Sequence, residues 1–145
     1  MNAPLSPRAE RIVQVFGALT ADRLDTLAQI YQPNARFEDP FHTVHGLGAI
    51  QGVFAHMYQR LGDPSFEVRR CLEQGSDCVL LWDFVFRLQG PGGAVHRLAG
   101  ASHLVLDDTG LIVDHIDHWD PARGLYEHLP VLGPMMRWLR RRAAA

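Results

Sequence analysis

The chain has no lysine: all fourteen of its basic residues are arginine. Schiff-base and pyridoxal-phosphate chemistry both need a lysine amine, so neither is open to it. Cysteine is almost as scarce, with Cys71 and Cys78 alone. They flank a turn-like Glu73-Gln74-Gly75-Ser76-Asp77, and the start from Met1 to Pro7 lacks a basic segment followed by an apolar one. Both features read as reduced thiols in a cytoplasmic protein and not as a disulfide framework. No stretch approaches the roughly 18 apolar residues of a membrane span. None of the four serines stands in a Gly-x-Ser-x-Gly elbow, which leaves nucleophilic catalysis without support. Excess charge is missing too: a net charge of −2 lays down no electrostatic footprint for nucleic acid.

What is present is an ample core, 47% hydrophobic over 145 residues, enough for one domain spanning 1–145. Residues 1–5 read as a flexible start and 121–145 as a helical extension. Ser6 and Pro7 form a cap and first-turn pair for a helix to about Leu19. Leu24, Leu27, Ala28 and Tyr31 line a second, shorter helix that Pro33 ends. Gly46 to Gly48 open a third, with Ile50, Phe54, Met57 and Leu61 on one stripe, and Gly62-Asp63-Pro64 stop it. The period then changes to two. Leu80, Trp82, Phe84, Phe86 and Leu88 alternate with Val79, Leu81, Asp83, Val85 and Arg87, bounded by Gly75 and by Gly90-Pro91-Gly92-Gly93. Strands over 94–106 and 111–120 follow, joined by a hairpin at Asp107-Asp108-Thr109-Gly110. Helices first and strands afterwards predict an α+β fold, with helices covering one face of a curved, mostly antiparallel sheet.

Two segments carry candidate chemistry. In Arg36-Phe37-Glu38-Asp39-Pro40-Phe41 an extended chain puts Phe37, Asp39 and Phe41 on one side and Arg36 and Glu38 on the other. Burial between two phenylalanines disfavours the carboxylate anion, which makes Asp39 a candidate proton acceptor near neutral pH; the plain alternative is an Asp that starts a turn. In Asp114-His115-Ile116-Asp117-His118-Trp119-Asp120, alternation puts His115, Asp117 and Trp119 on one face. An imidazole beside a carboxylate can hold a proton and donate it to a developing oxyanion, or the pair can simply be buried and stiffen the sheet.

The element order, with Phe37-Glu38-Asp39-Pro40 closing the first strand, Gly46-Leu47-Gly48-Ala49-Ile50 opening a helix and an aromatic strand around Trp82, resembles the NTF2-like superfamily. That group includes the ketosteroid isomerases and the SnoaL-like polyketide cyclases, and the resemblance covers most of Ile12 to Asp120. It implies a cone-shaped half-barrel around a deep apolar pocket, often in a homodimer paired through the outer sheet face. On this resemblance Asp39 falls on the isomerases' base position. Phe16 stands where their first-helix tyrosine would be, and Ser102 where their second Asp would be. It also turns His115, Asp117 and Trp119 inward, near Asp39, with Phe37, Phe41, Phe54, Trp82, Phe84 and Phe86 as apolar lining.

Catalysis is therefore expected from Asp39 as base with His115 and Asp117 as acid or electrostatic partners, acting on an apolar carbonyl compound. The competing expectation is a ligand-binding or dimerisation module on the same fold. Epoxide hydrolysis, which in this superfamily needs an Asp-Arg-Asp arrangement, lacks an inward arginine. Tyr58, one turn beyond Phe54, is a further candidate for the pocket wall. No cofactor or metal is expected: His42-x-x-His45 and His115-x-x-His118 lack a third ligand at a diagnostic spacing. The outward residues Ala101, His103, Val105 and Ile116 are apolar enough to predict a homodimer. In the tail, Met135, Trp138 and Leu139 oppose Arg137, Arg140 and Arg141. This amphipathic end is expected to pack over the barrel or at a dimer edge, or else to make a weak contact with an anionic membrane surface.

Overall fold

A computed structural model describes residues 4–88, 93–124 and 132–144. Helix α1, Pro7–Gly17, starts as its cap chemistry requires: the Ser6 hydroxyl oxygen accepts from the Ala9 N–H at 3.3 Å, and Pro7 occupies the first turn. Its apolar stripe buries Ala9, Ile12, Val15 and Phe16. A 3-10 helix, Leu24–Gln29, then gives way to strand β1, Tyr31–Glu38, a short strand β2, Thr43–His45, and helix α2, Leu47–Arg60. Four strands follow: β3, Gly62–Gln74, β4, Asp77–Arg87, β5, Val95–Leu106, and β6, Ile112–His118. The chain closes with α3, Pro121–Gly124, and α4, Leu132–Ala144.

The six strands form one sheet in the order β2-β1-β6-β5-β4-β3, antiparallel except where β1 runs parallel to β6. Along β4 the alternation is regular, and it turns Cys78, Leu80, Trp82, Phe84 and Phe86 into the core beneath the helices. This is the α+β, NTF2-like arrangement that the periodicity and the resemblance predict. Among the described residues no helix is long and apolar enough to cross a membrane.

Several elements depart from the sequence reading. The second helix ends at Gln29, so Tyr31 belongs to β1, and its ring is buried in the core. Pro33 is accommodated in that strand because the β1–β6 register shifts between Tyr31 and Arg36, where no ladder N–H is required of it. Strand β3 was not anticipated at all. Its alternation is interrupted by a register shift between Val68 and Arg70, so Phe66 and Val68 share a phase that Cys71 does not continue. The turn expected at Gly90-Pro91-Gly92-Gly93 and the helix expected over Ala122 to Leu129 lie largely outside the described residues. Helix α4 does form, and it packs on α3; in the single chain the described residues leave its apolar stripe partly open, with Met135, Trp138 and Leu139 each about half exposed. The Arg142 guanidinium stands 5.3 Å from the centre of the Trp138 ring.

The two thiols form no disulfide but share a hydrogen bond, with the sulfurs of Cys71 and Cys78 3.5 Å apart. Burial pushes the Cys78 thiol up to about 12, which keeps it protonated and unreactive.

Candidate functional site

The sheet curls over α2 to enclose a cavity of about 530 Å³. Its wall is aromatic: Phe37 from β1, Phe54 from α2, Phe66 from β3, Trp82, Phe84 and Phe86 from β4, and Trp119 just past β6. Phe66 stacks on Phe84 at 4.8 Å and Phe84 on Phe86 at 5.1 Å, which makes one continuous aromatic panel. Such a lining binds apolar, flat molecules well and leaves orientation to the few polar groups present. Those groups are Asp39, His42, His56, Arg60 and Asp117.

Asp117 is held from behind by a chain of buried groups. Trp82 Nε1–H donates to Ser102 Oγ at 2.9 Å, and Ser102 Oγ–H donates to Asp117 Oδ1 at 2.5 Å. His115 Nε2 lies 2.6 Å from the same Oδ1, and His115 Nδ1 lies 2.5 Å from the Tyr31 hydroxyl. The cross-strand register sets this up by pairing Leu80 with Ser102 and Ser102 with Asp117. Both hydrogen bonds to Asp117 fall on Oδ1; among the described residues Oδ2 accepts none, and the side chain, 13% exposed, borders the cavity.

The proton positions follow from the partners. An ionised carboxylate can only accept, so Nε2 of His115 carries the hydrogen. Burial, and after it the charge of Asp117, pushes the Tyr31 phenol well above its ordinary range, so Tyr31 keeps its proton and donates to Nδ1. The Tyr31 and His115 ring planes are within 5° of parallel, with their centroids 5.9 Å apart. Were Nδ1 protonated as well, the Tyr31 hydrogen would have no acceptor among the described residues.

Asp39 is arranged differently. It leaves β1 one residue after Glu38, whose partner on β6 is Ile116, and so stands level with Asp117. Its Oδ1 accepts the backbone N–H groups of Phe41 and His42 at 2.8 and 2.6 Å, and the ring Nδ1 of His42 lies 2.9 Å from Oδ1 and 3.1 Å from Oδ2. Strand β1 has ended by then, and Phe41, at the mouth against Trp119, is 46% exposed. The Asp39 side chain is 12% exposed, about as covered as that of Asp117, and its cover comes from only one of the two flanking phenylalanines. Phe37 is buried but Phe41 is not, and three donors engage the carboxylate. What Asp39 does here is fix the 39–42 turn and aim the His42 ring.

Of the other residues singled out by sequence, Phe37, Phe41, Phe54, Trp82, Phe84, Phe86 and Trp119 border the cavity with Asp39 and Asp117. His115, Ser102 and Phe16 do not; they surround a void of about 10 Å³ behind it. Tyr58 borders neither space. Its hydroxyl is buried without a partner among the described residues, and burial raises it to about 12. The sequence reading missed Tyr31, assigned to a helix, weighed His42 only as a metal ligand, and gave no role in the pocket to His56 or Arg60. The absence of an inward arginine is likewise corrected, since Arg60 borders the cavity; its Nε donates to His56 Nε2 at 3.1 Å rather than to a carboxylate. Helical spacing of Phe54, Met57 and Leu61 is the signal that could have placed Arg60 at the rim.

A family model described as a SnoaL-like domain matches residues 12–115. No curated protein matches the sequence. Among solved structures, an NTF2-like protein of unknown function from Burkholderia pseudomallei K96243 superposes with a TM-score of 0.72 at 17% identity, over 82% of this chain and 95% of that one. A candidate SnoaL-like polyketide cyclase from Jannaschia sp. CCS1 gives 0.68 at 16%, over 82% and 92%. A protein of ketosteroid isomerase-like fold from Catenulispora acidiphila DSM 44928, in complex with trimethylamine, gives 0.69 at 12%, over 84% and 92%. At these identities the structural likeness speaks for the fold alone.

Proposed function

Because this chain belongs to the SnoaL-like domain family, we propose that it is a proton-transfer enzyme of the isomerase or cyclase kind, acting on an apolar carbonyl compound held in the aromatic cavity, with Asp117 as the base. The observation that carries this reading is the division of labour on one carboxylate. Ser102 and His115 both anchor Oδ1, Oδ2 accepts no hydrogen bond from the described residues, and the residue borders the cavity. A base needs a fixed orientation and a free lone pair within reach of its proton, and this arrangement supplies both.

In the proposed step, Oδ2 takes the α-proton of the ketone and the C–H electron pair becomes the enolate. The enolate then recovers a proton at another carbon, which is isomerisation, or attacks a second carbonyl, which is ring closure. His42, whose Nδ1–H donates to Asp39, borders the cavity and in its imidazolium form gives the Nε2 proton to the enolate oxygen. Asp39, previously expected to be the base, becomes the residue that orients this imidazole. His115 acts from behind Asp117, not on the ligand.

The engagement of Asp39 with its own turn also favours a second reading, a ligand-binding module, since three donors fall on its Oδ1 and the His42 ring reaches Oδ2 as well. One experiment separates the two: exchange of the α-protons of 2-tetralone in D₂O, followed by proton NMR. The enzyme reading expects catalysed exchange that Asp117→Asn lowers by about 100-fold or more. Asp39→Asn, which leaves the base in place, should lower it less. Exchange no faster than in buffer, or an unchanged Asp117→Asn, leaves the binding module.

A further inference from the structure

The cavity has two chemically distinct ends, and the register of the strands measures their separation. Asp117 pairs with Ser102, and Ser102 pairs with Leu80 of β4. At the other end, Arg60 closes α2 just before Gly62, which pairs with Arg87 of β4. Leu80 and Arg87 are seven residues apart on one strand, about 20 Å of extended chain. The inward side chains between those levels are Trp82, Phe84 and Phe86, all bordering the cavity. An apolar aromatic wall therefore runs from a carboxylate end, with Asp39 and Asp117, to a cationic end formed by Arg60, with His56 beside it.

The cationic end is built as an acceptor of anions. Arg60 is the only arginine among the described residues that borders the cavity. Its one hydrogen bond to a described residue is from Nε to the neutral His56 Nε2, one helical turn back, and no carboxylate among the described residues neutralises it. With Nε tied to His56, the guanidinium is held by one edge and presents its two terminal nitrogens, the pair that engages a carboxylate bidentately. The other arginines close to the sheet are consumed: Arg69 and Arg97 by Asp83, Arg36 by Glu38 and Asp114, Arg87 by Asp63. A ligand anion is repelled by Asp39 and Asp117 and attracted by Arg60, so the same charges that would weaken its binding in one orientation fix it in the other.

We propose that Arg60 and His56 form a carboxylate-binding subsite, and that the ligand class is an elongated aromatic or polyunsaturated carboxylic acid whose reactive carbonyl lies at the end remote from its carboxylate. The assignment of the reactive end rests on the reading of Asp117 above; the subsite is tested by binding alone. Isothermal titration calorimetry of the full chain with biphenyl-4-carboxylate and with the neutral biphenyl-4-carboxamide compares the two head groups on one apolar body. The carboxylate should bind about tenfold more tightly, and added salt should shrink the difference because the rim is exposed. Arg60→Gln, at an exposed position that the fold does not depend on, should make the two affinities equal. Equal affinities in the unaltered protein, a preference that survives Arg60→Gln, or failure of both probes to bind overturns the subsite. A preference without tetralone exchange would remove the enzyme reading and keep the subsite; exchange without a preference would do the reverse.

Discussion

Nε2 of His115 lies 2.6 Å from Oδ1 of Asp117, two residues along the same strand, and the imidazole is sealed from solvent while the carboxylate reaches the cavity. Residues i and i+2 share a face of a strand, so the contact is local in sequence. Its consequence is not local, because the orientation of the ring depends on Tyr31 from β1 and that of the carboxylate on Ser102 from β5.

Tyr31→Phe removes the hydroxyl that donates to Nδ1 and leaves a buried acceptor unsatisfied, at a cost of about 1–3 kcal/mol in stability. Nitrogen-15 NMR of the His115 ring should show hydrogen on Nε2 alone in the unaltered protein and a mixture of tautomers in the variant. Tetralone exchange should fall about tenfold along with it. An unchanged tautomer in Tyr31→Phe would mean that Asp117 alone orients the ring.

Gly100→Ala tests the wall of the cavity. A Cβ at position 100 would lie 2.3 Å from Cη2 of Trp82, whose ring rests directly over the glycine it pairs with across the sheet. The ring must move, so the substitution should destabilise by about 1–3 kcal/mol. It should also break the bond from Trp82 Nε1 to Ser102. Thermal melting and a shifted tryptophan emission would register both effects, and a melting curve identical to that of the unaltered protein would show that the ring is not held there.

The hairpin between β5 and β6 should set part of the acid sensitivity. The Thr109 hydroxyl first, then the Gln32 amide and the N–H groups of Leu111 and Thr109, hold the Asp107 carboxyl down to about 2. An unfolded Asp titrates near 3.9. The native state therefore binds this proton later than the unfolded chain, and the stabilisation is complete above about pH 4 and lost as pH falls toward about 2. Urea unfolding at pH 5 and at pH 2.5 should show a smaller acid loss for Asp107→Asn than for the unaltered protein. Equal losses would assign the acid sensitivity to other groups.

The outward face of the sheet bears on assembly. Ala101, His103, Val105 and Ile116 are each only partly covered in the single chain, and β5 and β6 put His103 directly beside Ile116. Burial of this face predicts a homodimer in sedimentation at micromolar concentration, with Ala101→Arg shifting it to monomer. A monomer in the unaltered protein would leave the face to solvent.

Much of this architecture can be read in the chain because it depends on period and punctuation. The cap at Ser6-Pro7, the two-residue alternation of β4 and the shared inward face of His115, Asp117 and Trp119 are consequences of backbone geometry acting on adjacent residues. So is the turn at Asp39, since a short carboxylate before Pro40 is placed to accept the next backbone N–H groups. Which carboxylate is free could not be read this way. Asp39 and Asp117 look alike in the sequence, and only the tertiary structure spends the oxygens of one on its own turn while anchoring the other through a single oxygen. The inclusion of Tyr31, Ser102 and Trp82 in the buried chain behind Asp117, the need for glycine under Trp82 and the position of Arg60 at the far rim all depend on register between strands distant in sequence. Register is decided by which faces can be buried together, a property of the closed sheet that no single segment contains.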